Sequence, residues 1–112
     1  MMQRDIIQPI IERIRDLPVS RVVVFGSTID GSADAESDLD LAVVVPDPKR
    51  TEEFDRIALG VEIRRRIRDI NRAVALDVLV YTESEFRNLA SEPGFVKSEV
   101  LERGEVVYER AG

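Results

Sequence analysis

The amino-acid sequence predicts an α/β fold of the α+β type, in which helices flank one small mixed β-sheet. Short β-prone runs alternate with stretches of helical periodicity along the chain. The connection between the first two strands is too short for the crossover helix that a parallel pair needs, which indicates a mixed sheet. With 112 residues, the chain can bury about two-thirds of its unfolded surface. We therefore expect a single domain over residues 1–112.

The first half of the chain is predicted to form a helix, two strands and a short helix between the strands. Apolar residues recur at helical spacing up to about Leu17, and Pro9 fits the first turn of that helix. The run Val22–Phe25 is typical of a buried strand, and a second strand covers Asp38–Val45 until a Pro-Asp-Pro segment stops it. Between the strands, a short helix is expected after Ser27, followed by a polar loop.

The second half is predicted to form three helices and two strands. Thr82 and Glu85 have the spacing of a capping box, in which each side chain satisfies a backbone N–H group at the start of a helix. Gly104 is expected to end the last helix. The predicted elements are a helix over roughly Glu52–Asn71, a strand over Leu76–Tyr81, a helix from Thr82 to about Leu89, a helix over Phe95–Arg103 and a strand over Glu105–Tyr108.

Two residue types are absent from the chain, and their absence excludes several classes of function. The sequence contains no cysteine and no histidine, which excludes disulfides, zinc sites built on these residues and acid–base chemistry that depends on histidine. No apolar stretch approaches the length of a membrane span, and the first five residues lack the apolar core of a secretion signal. We therefore expect a cytoplasmic protein.

The charge of the chain is negative overall but unevenly distributed. A net charge of −6 argues against general nucleic-acid binding, which needs Lys and Arg to neutralise phosphates. The segment Arg56–Arg72 is the exception, with six arginines against Glu62 and Asp69. We interpret these arginines, Arg64 among them, as a solvated helix face, which is the usual meaning of such a charge run. The alternative is a docking surface for an acidic or RNA-bearing partner.

A Gly-Ser pair and two nearby aspartates give the clearest indication of function. Gly26-Ser27 directly follows the first strand, where the backbone N–H groups of a tight turn can face an anion. Asp38 and Asp40 begin the second strand and, because side chains alternate along a strand, both emerge on one face while the leucines beside them enter the core. Neighbouring carboxylates repel each other, and a divalent cation with oxygen ligands, Mg²⁺ or Mn²⁺, is the usual reason to keep them together. The pattern predicts metal-dependent chemistry on a nucleoside triphosphate.

A further acid, Asp77, interrupts the third apolar strand in a similar way. The segments that combine into a recognisable motif are Gly26-Ser27, Gly31, Ser37-Asp38-Leu39-Asp40-Leu41 and Leu76-Asp77-Val78. They resemble the motif of the nucleotidyltransferase superfamily that includes the palm of DNA polymerase β. The resemblance is greatest to its small prokaryotic branch, the minimal nucleotidyltransferases (MNT), and it extends over nearly the whole chain.

The resemblance implies a sheet of the polymerase β palm type and a role for each motif residue. In that family two aspartates on one strand and a third on a neighbouring strand hold two metal ions, and the Gly-Ser turn grips the triphosphate. The residues implied as catalytic and as metal ligands are Asp38, Asp40 and Asp77. The residues implied in nucleotide binding are Gly26, Ser27 and Ser37, the last of them also as a hydrogen-bond partner of the carboxylates.

The implied activity is the Mg²⁺- or Mn²⁺-dependent transfer of a nucleotidyl group, AMP from ATP, onto a hydroxyl. A chain this short is expected to carry little beyond the catalytic fold, so that something else presents the acceptor. Small stand-alone members of the family are commonly encoded with a helical HEPN partner as toxin–antitoxin pairs, and some adenylylate a tyrosine of that partner. The resemblance therefore implies an MNT antitoxin with a HEPN-type protein partner.

Two alternatives stay open, and one residue bears on them. Between Ser27 and Gly31 the family usually carries an arginine, whereas this chain has Asp30, a negative charge next to the predicted phosphate site. This departure favours the first alternative, an MNT-fold binding module with impaired catalysis that neutralises its partner by contact. If Asp30 is only a solvent-facing loop residue, it favours neither the binding module nor the enzyme. The second alternative is a small-molecule transferase of the aminoglycoside-modifying kind.

Overall fold

The computed structural model of the protein describes residues 6–25, 39–48, 55–71 and 76–110. Within these ranges, no helix is both long and apolar enough to span a membrane. The elements in chain order are α1 (Ile7–Ile14), β1 (Arg21–Phe25), β2 (Leu39–Val45), α2 (Arg56–Arg66), α3 (Arg68–Asn71), β3 (Leu76–Thr82), α4 (Glu83–Ala90), a π-helix (Val96–Glu102) and β4 (Glu105–Glu109).

The described strands form one mixed sheet in the order β3-β2-β1-β4. β1 is antiparallel to β2, and it is also antiparallel to β4, with a β-bulge between Val22 and Val23. β2 and β3 are parallel, with Leu41 opposite Val78. The antiparallel first pair confirms that the sheet is mixed, as the short connection between the first two strands predicted.

Helices cover both faces of the sheet, and the core is accordingly divided into two layers. We call the face covered by α1 and α2 the first face, and the face covered by α4 and the π-helix the second face. The first-face core includes Ile10, Ile14, Val22, Leu41, Ile63 and Val78. The second-face core includes Val23, Phe25, Ala42, Val44, Phe86, Val96 and Val100. Because neighbouring residues of a strand point to opposite faces, the central strand β2 is buried without interruption from Leu41 to Val45.

Most predicted element boundaries agree with the structure to within a few residues. α1 ends at Ile14 and not at Leu17, and β3 extends to Thr82. The capping box at the start of α4 is confirmed: the N–H of Glu85 donates to Thr82 Oγ1 at 3.2 Å, and the N–H of Thr82 donates to Glu85 Oε1 at 2.9 Å. The helix predicted after Ser27 lies outside the described residues.

The single helix predicted over Glu52–Asn71 is wrong at its start and in its continuity. The helix begins at Arg56, because Asp55 is extended and accepts the N–H of Ala58 at 3.0 Å as an N-cap. At Ile67 the backbone leaves helical geometry, with φ −113° and ψ 17°, and the short helix α3 follows. The side chain of Ile67 is buried in the first-face core, so tertiary packing outweighs helix propensity at this position.

A close backbone contact joins the end of the π-helix to β1. A Cβ atom at Gly104 would lie 2.2 Å from the carbonyl oxygen of Val100 and 3.0 Å from that of Val24. Such distances leave no room for a side chain, and glycine alone permits the approach. The π-helix therefore packs directly on the strand that leads to the predicted Gly-Ser turn.

Arginines of the Arg56–Arg72 segment form ion pairs within the chain. These pairs, with N···O distances from 2.6 to 2.8 Å, are Arg66–Glu62, Arg66–Asp16, Arg65–Glu62 and Arg56–Glu85. Hydrogen bonds from Arg65 and Arg66 lower the pKa of Glu62 to about 2. Much of the positive charge is therefore neutralised inside the molecule, which supports the interpretation of this segment as a structural, solvated helix face.

Candidate functional site

Two of the predicted catalytic acids lie side by side in the sheet. Asp40 of β2 is directly opposite Asp77 of β3 in the parallel register. Neighbouring strands are about 4.8 Å apart, and side chains at paired positions emerge on the same face. The fold thus brings together two carboxylates that are far apart in the sequence.

These carboxylates emerge on the second face, at the end of the sheet where β1 ends and β2 and β3 begin. Asp77 is exposed and Asp40 is half-buried. Further along the same face, Leu79 is still 39% exposed, whereas Ala42 is completely buried. Val78 belongs to the first-face core, which confirms that Asp77 points away from the core residue next to it.

An aromatic pair lies next to the acids. Phe25, the last residue of β1, is opposite Asp40 in the antiparallel register. Its ring contacts that of Phe95 edge to face, with centroids 5.6 Å apart. Phe25 is buried, but Phe95 is 51% exposed and offers an accessible aromatic surface near the site. The sequence pattern did not indicate this surface, because its position depends on how the π-helix packs against β1.

A guanidinium group covers the edge of β3 beside Asp77. Arg64 donates a hydrogen bond of 2.9 Å to the carbonyl oxygen of Val78. Gly60 makes room for this arginine, since a Cβ atom there would lie 3.1 Å from Arg64 Nη1. Backbone groups at a sheet edge need a partner, so this contact helps to hold the strand that carries Asp77. The sequence placed Arg64 on a solvated helix face and gave no sign of this role.

The other predicted site residues lie outside the described parts of the chain. They are Gly26, Ser27, Asp30, Ser37 and Asp38. Within residues 6–25, 39–48, 55–71 and 76–110, no three His, Cys, Asp or Glu side chains are grouped so that they could hold a metal ion. A site with three acidic ligands therefore needs a carboxylate from outside these ranges, and Asp38 stays the prediction for it, since strand alternation predicts the same face for Asp38 and Asp40.

The donor atoms of the acid pair fit a divalent cation. Like charges directly opposite each other on neighbouring strands destabilise a sheet, and a bound cation would offset this repulsion. Carboxylate oxygens are the ligands that Mg²⁺ and Mn²⁺ prefer. Asp40 and Asp77 are therefore suited to hold such an ion.

A mixed sheet flanked by helices, with acids paired on neighbouring strands at its open end, is the architecture of a nucleotidyltransferase domain. The family model described as "Polymerase beta, Nucleotidyltransferase" matches residues 7–111. The chain belongs to this family, and the resemblance seen in the sequence is confirmed.

Solved structures share this fold at low sequence identity. A candidate nucleotidyltransferase from Sulfolobus solfataricus is 21% identical, with 96% of this chain and 77% of that chain covered and a TM-score of 0.56. A toxin–antitoxin structure with AMP-PNP is 18% identical, with 97% and 75% covered and a TM-score of 0.60. A mutant of the toxin–antitoxin MntA-HpeT is 20% identical, with 98% and 75% covered and a TM-score of 0.54. No curated protein sequence matches the chain.

Proposed function

We propose that this protein is a Mg²⁺-dependent nucleotidyltransferase that moves AMP from ATP onto a hydroxyl group of a protein partner. The observation that carries the proposal is the register of β2 and β3, which sets Asp40 directly opposite Asp77. Asp77 is exposed and Asp40 is half-buried, so the pair is accessible to ligands. Membership of the polymerase beta nucleotidyltransferase family gives the reaction class.

The three acids have distinct roles in the proposed reaction. When bound, divalent cations supply positive charge at the phosphates and at the attacking oxygen. Asp38, Asp40 and Asp77 would hold them. Asp77, the exposed acid, would hold the ion on the side of the acceptor and accept the hydroxyl proton. The acceptor oxygen then bonds to the α-phosphorus, the bond from this phosphorus to the bridging oxygen of the β-phosphate breaks, and pyrophosphate leaves.

The remaining motif residues bind the nucleotide. Gly26 and Ser27 directly follow the buried end of β1 in the sequence, and backbone N–H groups of a tight turn there would bind the β- and γ-phosphates. Ser37 would donate a hydrogen bond to the carboxylates and so limit their movement. In this arrangement the protein orients the triphosphate for in-line attack, which is the main contribution of a protein to phosphoryl transfer.

The biological role that we propose is that of an antitoxin. One structural neighbour is a toxin–antitoxin with AMP-PNP and another is a toxin–antitoxin pair, which supports ATP as the nucleotide and a toxin as the partner. We propose that the partner is a helical HEPN-type protein, that its acceptor is a tyrosine hydroxyl, and that the reaction takes place in the cytoplasm.

The labelling of the partner by α-labelled ATP tests this function. In the presence of Mg²⁺ the wild-type protein should label the partner, and Asp77→Asn should reduce labelling to background because it removes a metal ligand and the proton acceptor. Glu92→Gln is the control, since it removes one negative charge from an exposed turn and should label normally.

Protection of cells from the partner separates the alternatives. If catalysis neutralises the partner, protection by Asp77→Asn should fail together with labelling. Full protection by a variant that no longer labels would refute the enzymatic antitoxin and establish a module that acts by contact. Labelling of an aminoglycoside instead of the partner would establish the small-molecule transferase.

A further inference from the structure

A cavity, which we call the distal cavity, lies on the second face away from the paired acids. Its volume is about 740 Å³, and it is lined by the end of β2 and the start of β1, with Val44, Pro46 and Arg21 among its residues. Asp40 lies four residues before Val44 on the same strand, which is about 13 Å at the rise of a β-strand. The buried second-face core separates the two places, so the distal cavity is not part of the proposed catalytic site.

The floor of the distal cavity is apolar. Val44 of β2 and Phe86 of α4 lie at its base and are 3% and 4% exposed. Ala90 of α4 and Leu101 of the π-helix extend this apolar wall towards solvent, with Leu101 38% exposed. The volume is in the range of about 300–1,000 Å³ that is usual for small-molecule sites, which combine apolar walls with a few polar groups.

The rim of the distal cavity carries an excess of positive charge, although the chain as a whole has a net charge of −6. Its charged residues are Arg21, Arg87 and Arg110, against Glu83 and Glu109. Arg21 and Glu109 form an ion pair at 3.0 Å and neutralise each other. The remaining rim charges are two guanidinium groups and the carboxylate of Glu83.

Hydrogen bonds to backbone carbonyl groups hold Arg110 in place and do not neutralise its positive charge. Its Nη2 atom donates hydrogen bonds to the carbonyl oxygens of Arg15 at 3.1 Å and Leu17 at 2.9 Å. Carbonyl oxygens fix a guanidinium group but leave its positive charge uncompensated. A guanidinium has five N–H donors, so Arg110 keeps donors for a ligand.

Arg87 is the second cation of the rim. In the described structure it donates to Ser84 Oγ at 3.4 Å, a long contact with a neutral group. Hydrogen bonds from Ser84 and, to a lesser extent, the charge of Arg87 lower the pKa of Asp47, so this carboxylate is near Arg87. It accepts hydrogen bonds from Ser84 and forms no ion pair with Arg87 among the described residues. The planar fork of a guanidinium suits the two oxygens of a carboxylate or phosphate.

We propose that the distal cavity binds a small amphipathic anion, that is, a carboxylate or phosphate attached to an apolar body. The apolar body lies on Val44 and Phe86, and the anionic group lies between Arg87 and Arg110. Such a ligand matches both the apolar floor and the positively charged rim of the cavity. A purely apolar molecule would leave the cations of the rim without an anionic partner, and a bare anion would leave the apolar floor uncovered. Carboxylate and phosphate ligands share this chemistry.

Titration of the full chain with four probes, followed by backbone amide NMR, tests the ligand class. The probes are octanoate, octyl phosphate, 1-octanol and inorganic phosphate. Octanoate or octyl phosphate should shift the amide resonances of Phe86, Ala90 and Leu101 and leave Asp77 unchanged, and comparison of the two identifies the preferred anion. Octanol and inorganic phosphate should bind at least about tenfold more weakly. Equal affinity for octanoate and octanol, or shifts centred elsewhere, would overturn the proposal.

Two variants and a matched control test the residues. Arg87→Gln should weaken binding of the better anion about tenfold. Arg68→Gln, which removes an exposed guanidinium from α3, should not change it. Ala90→Phe should block binding by filling the cavity, and its amide spectrum shows whether it folds. Equal affinity of Arg87→Gln and Arg68→Gln would refute the site even if Ala90→Phe does not fold.

Discussion

The carboxylate of Asp77 can be tested through stability as well as through activity. Asp77→Asn keeps the shape of the side chain and removes the like charge opposite Asp40. Like charges at directly opposed positions cost about 0.2–1 kcal/mol. For 112 residues, an unfolding entropy of about 2.1 cal/mol/K per residue converts roughly 0.5 kcal/mol into about 2 °C. Without metal, the Tm of Asp77→Asn should therefore be about 2 °C above that of the wild type.

The addition of metal should reverse this order. At a free Mn²⁺ concentration of about ten times Kd, binding stabilises the folded wild type by about 1.4 kcal/mol, or about 6 °C on the same scale. Asp77→Asn lacks one of the acidic ligands and should gain little. In Mn²⁺ the wild type should thus be the more stable protein by about 4 °C.

Thermal unfolding followed by circular dichroism, in EDTA and in Mn²⁺ with a non-hydrolysable ATP analogue, measures both effects. Glu92→Gln is the control, because it makes the same change in net charge at an exposed turn residue away from the sheet. Its Tm should be that of the wild type in both conditions. A lower Tm of Asp77→Asn in EDTA, or the same gain with Mn²⁺ in all three proteins, would refute the assignment of Asp77 to a metal site.

pH, packing and nucleotide binding give three further tests. Hydrogen bonds from Arg65 and Arg66 lower the pKa of Glu62 from 4.5 to about 2. The contribution of Glu62 to the stability of the folded protein is therefore complete above about pH 4.5 and is lost as the pH falls towards 2. The Tm of Glu62→Gln should fall less than that of the wild type over this range, and an equal fall would contradict the pairing. Gly104→Ala brings a Cβ to 2.2 Å from the carbonyl oxygen of Val100 and should lower the free energy of unfolding in urea by about 2 kcal/mol; an unchanged midpoint would show that the π-helix end adapts. Asp30→Arg should tighten ATP binding about fivefold in calorimetric titration, since one charge near the phosphates is worth about 1 kcal/mol, whereas unchanged affinity would mean that Asp30 points away.

Local patterns in the sequence determined most of the described elements and the direction of Asp77. The alternation of strand β3 was enough to predict that Asp77 leaves the core, and the spacing of Thr82 and Glu85 was enough to predict the start of α4. Both features depend on groups within a few residues of each other. The type of sheet was also predictable, because it follows from the length of one connection.

Only the tertiary structure decided the contacts between elements. The register that sets Asp40 opposite Asp77, the helix break at Ile67 and the hydrogen bond from Arg64 to Val78 all depend on residues that are distant in the sequence. A parallel register and the path of a buried helix are set by how side chains pack across the sheet, and local preferences of the chain are too weak to specify them. The sequence by itself therefore singled out Asp40 and Asp77 as candidates, and the packing of β2 against β3 decided that they lie opposite each other.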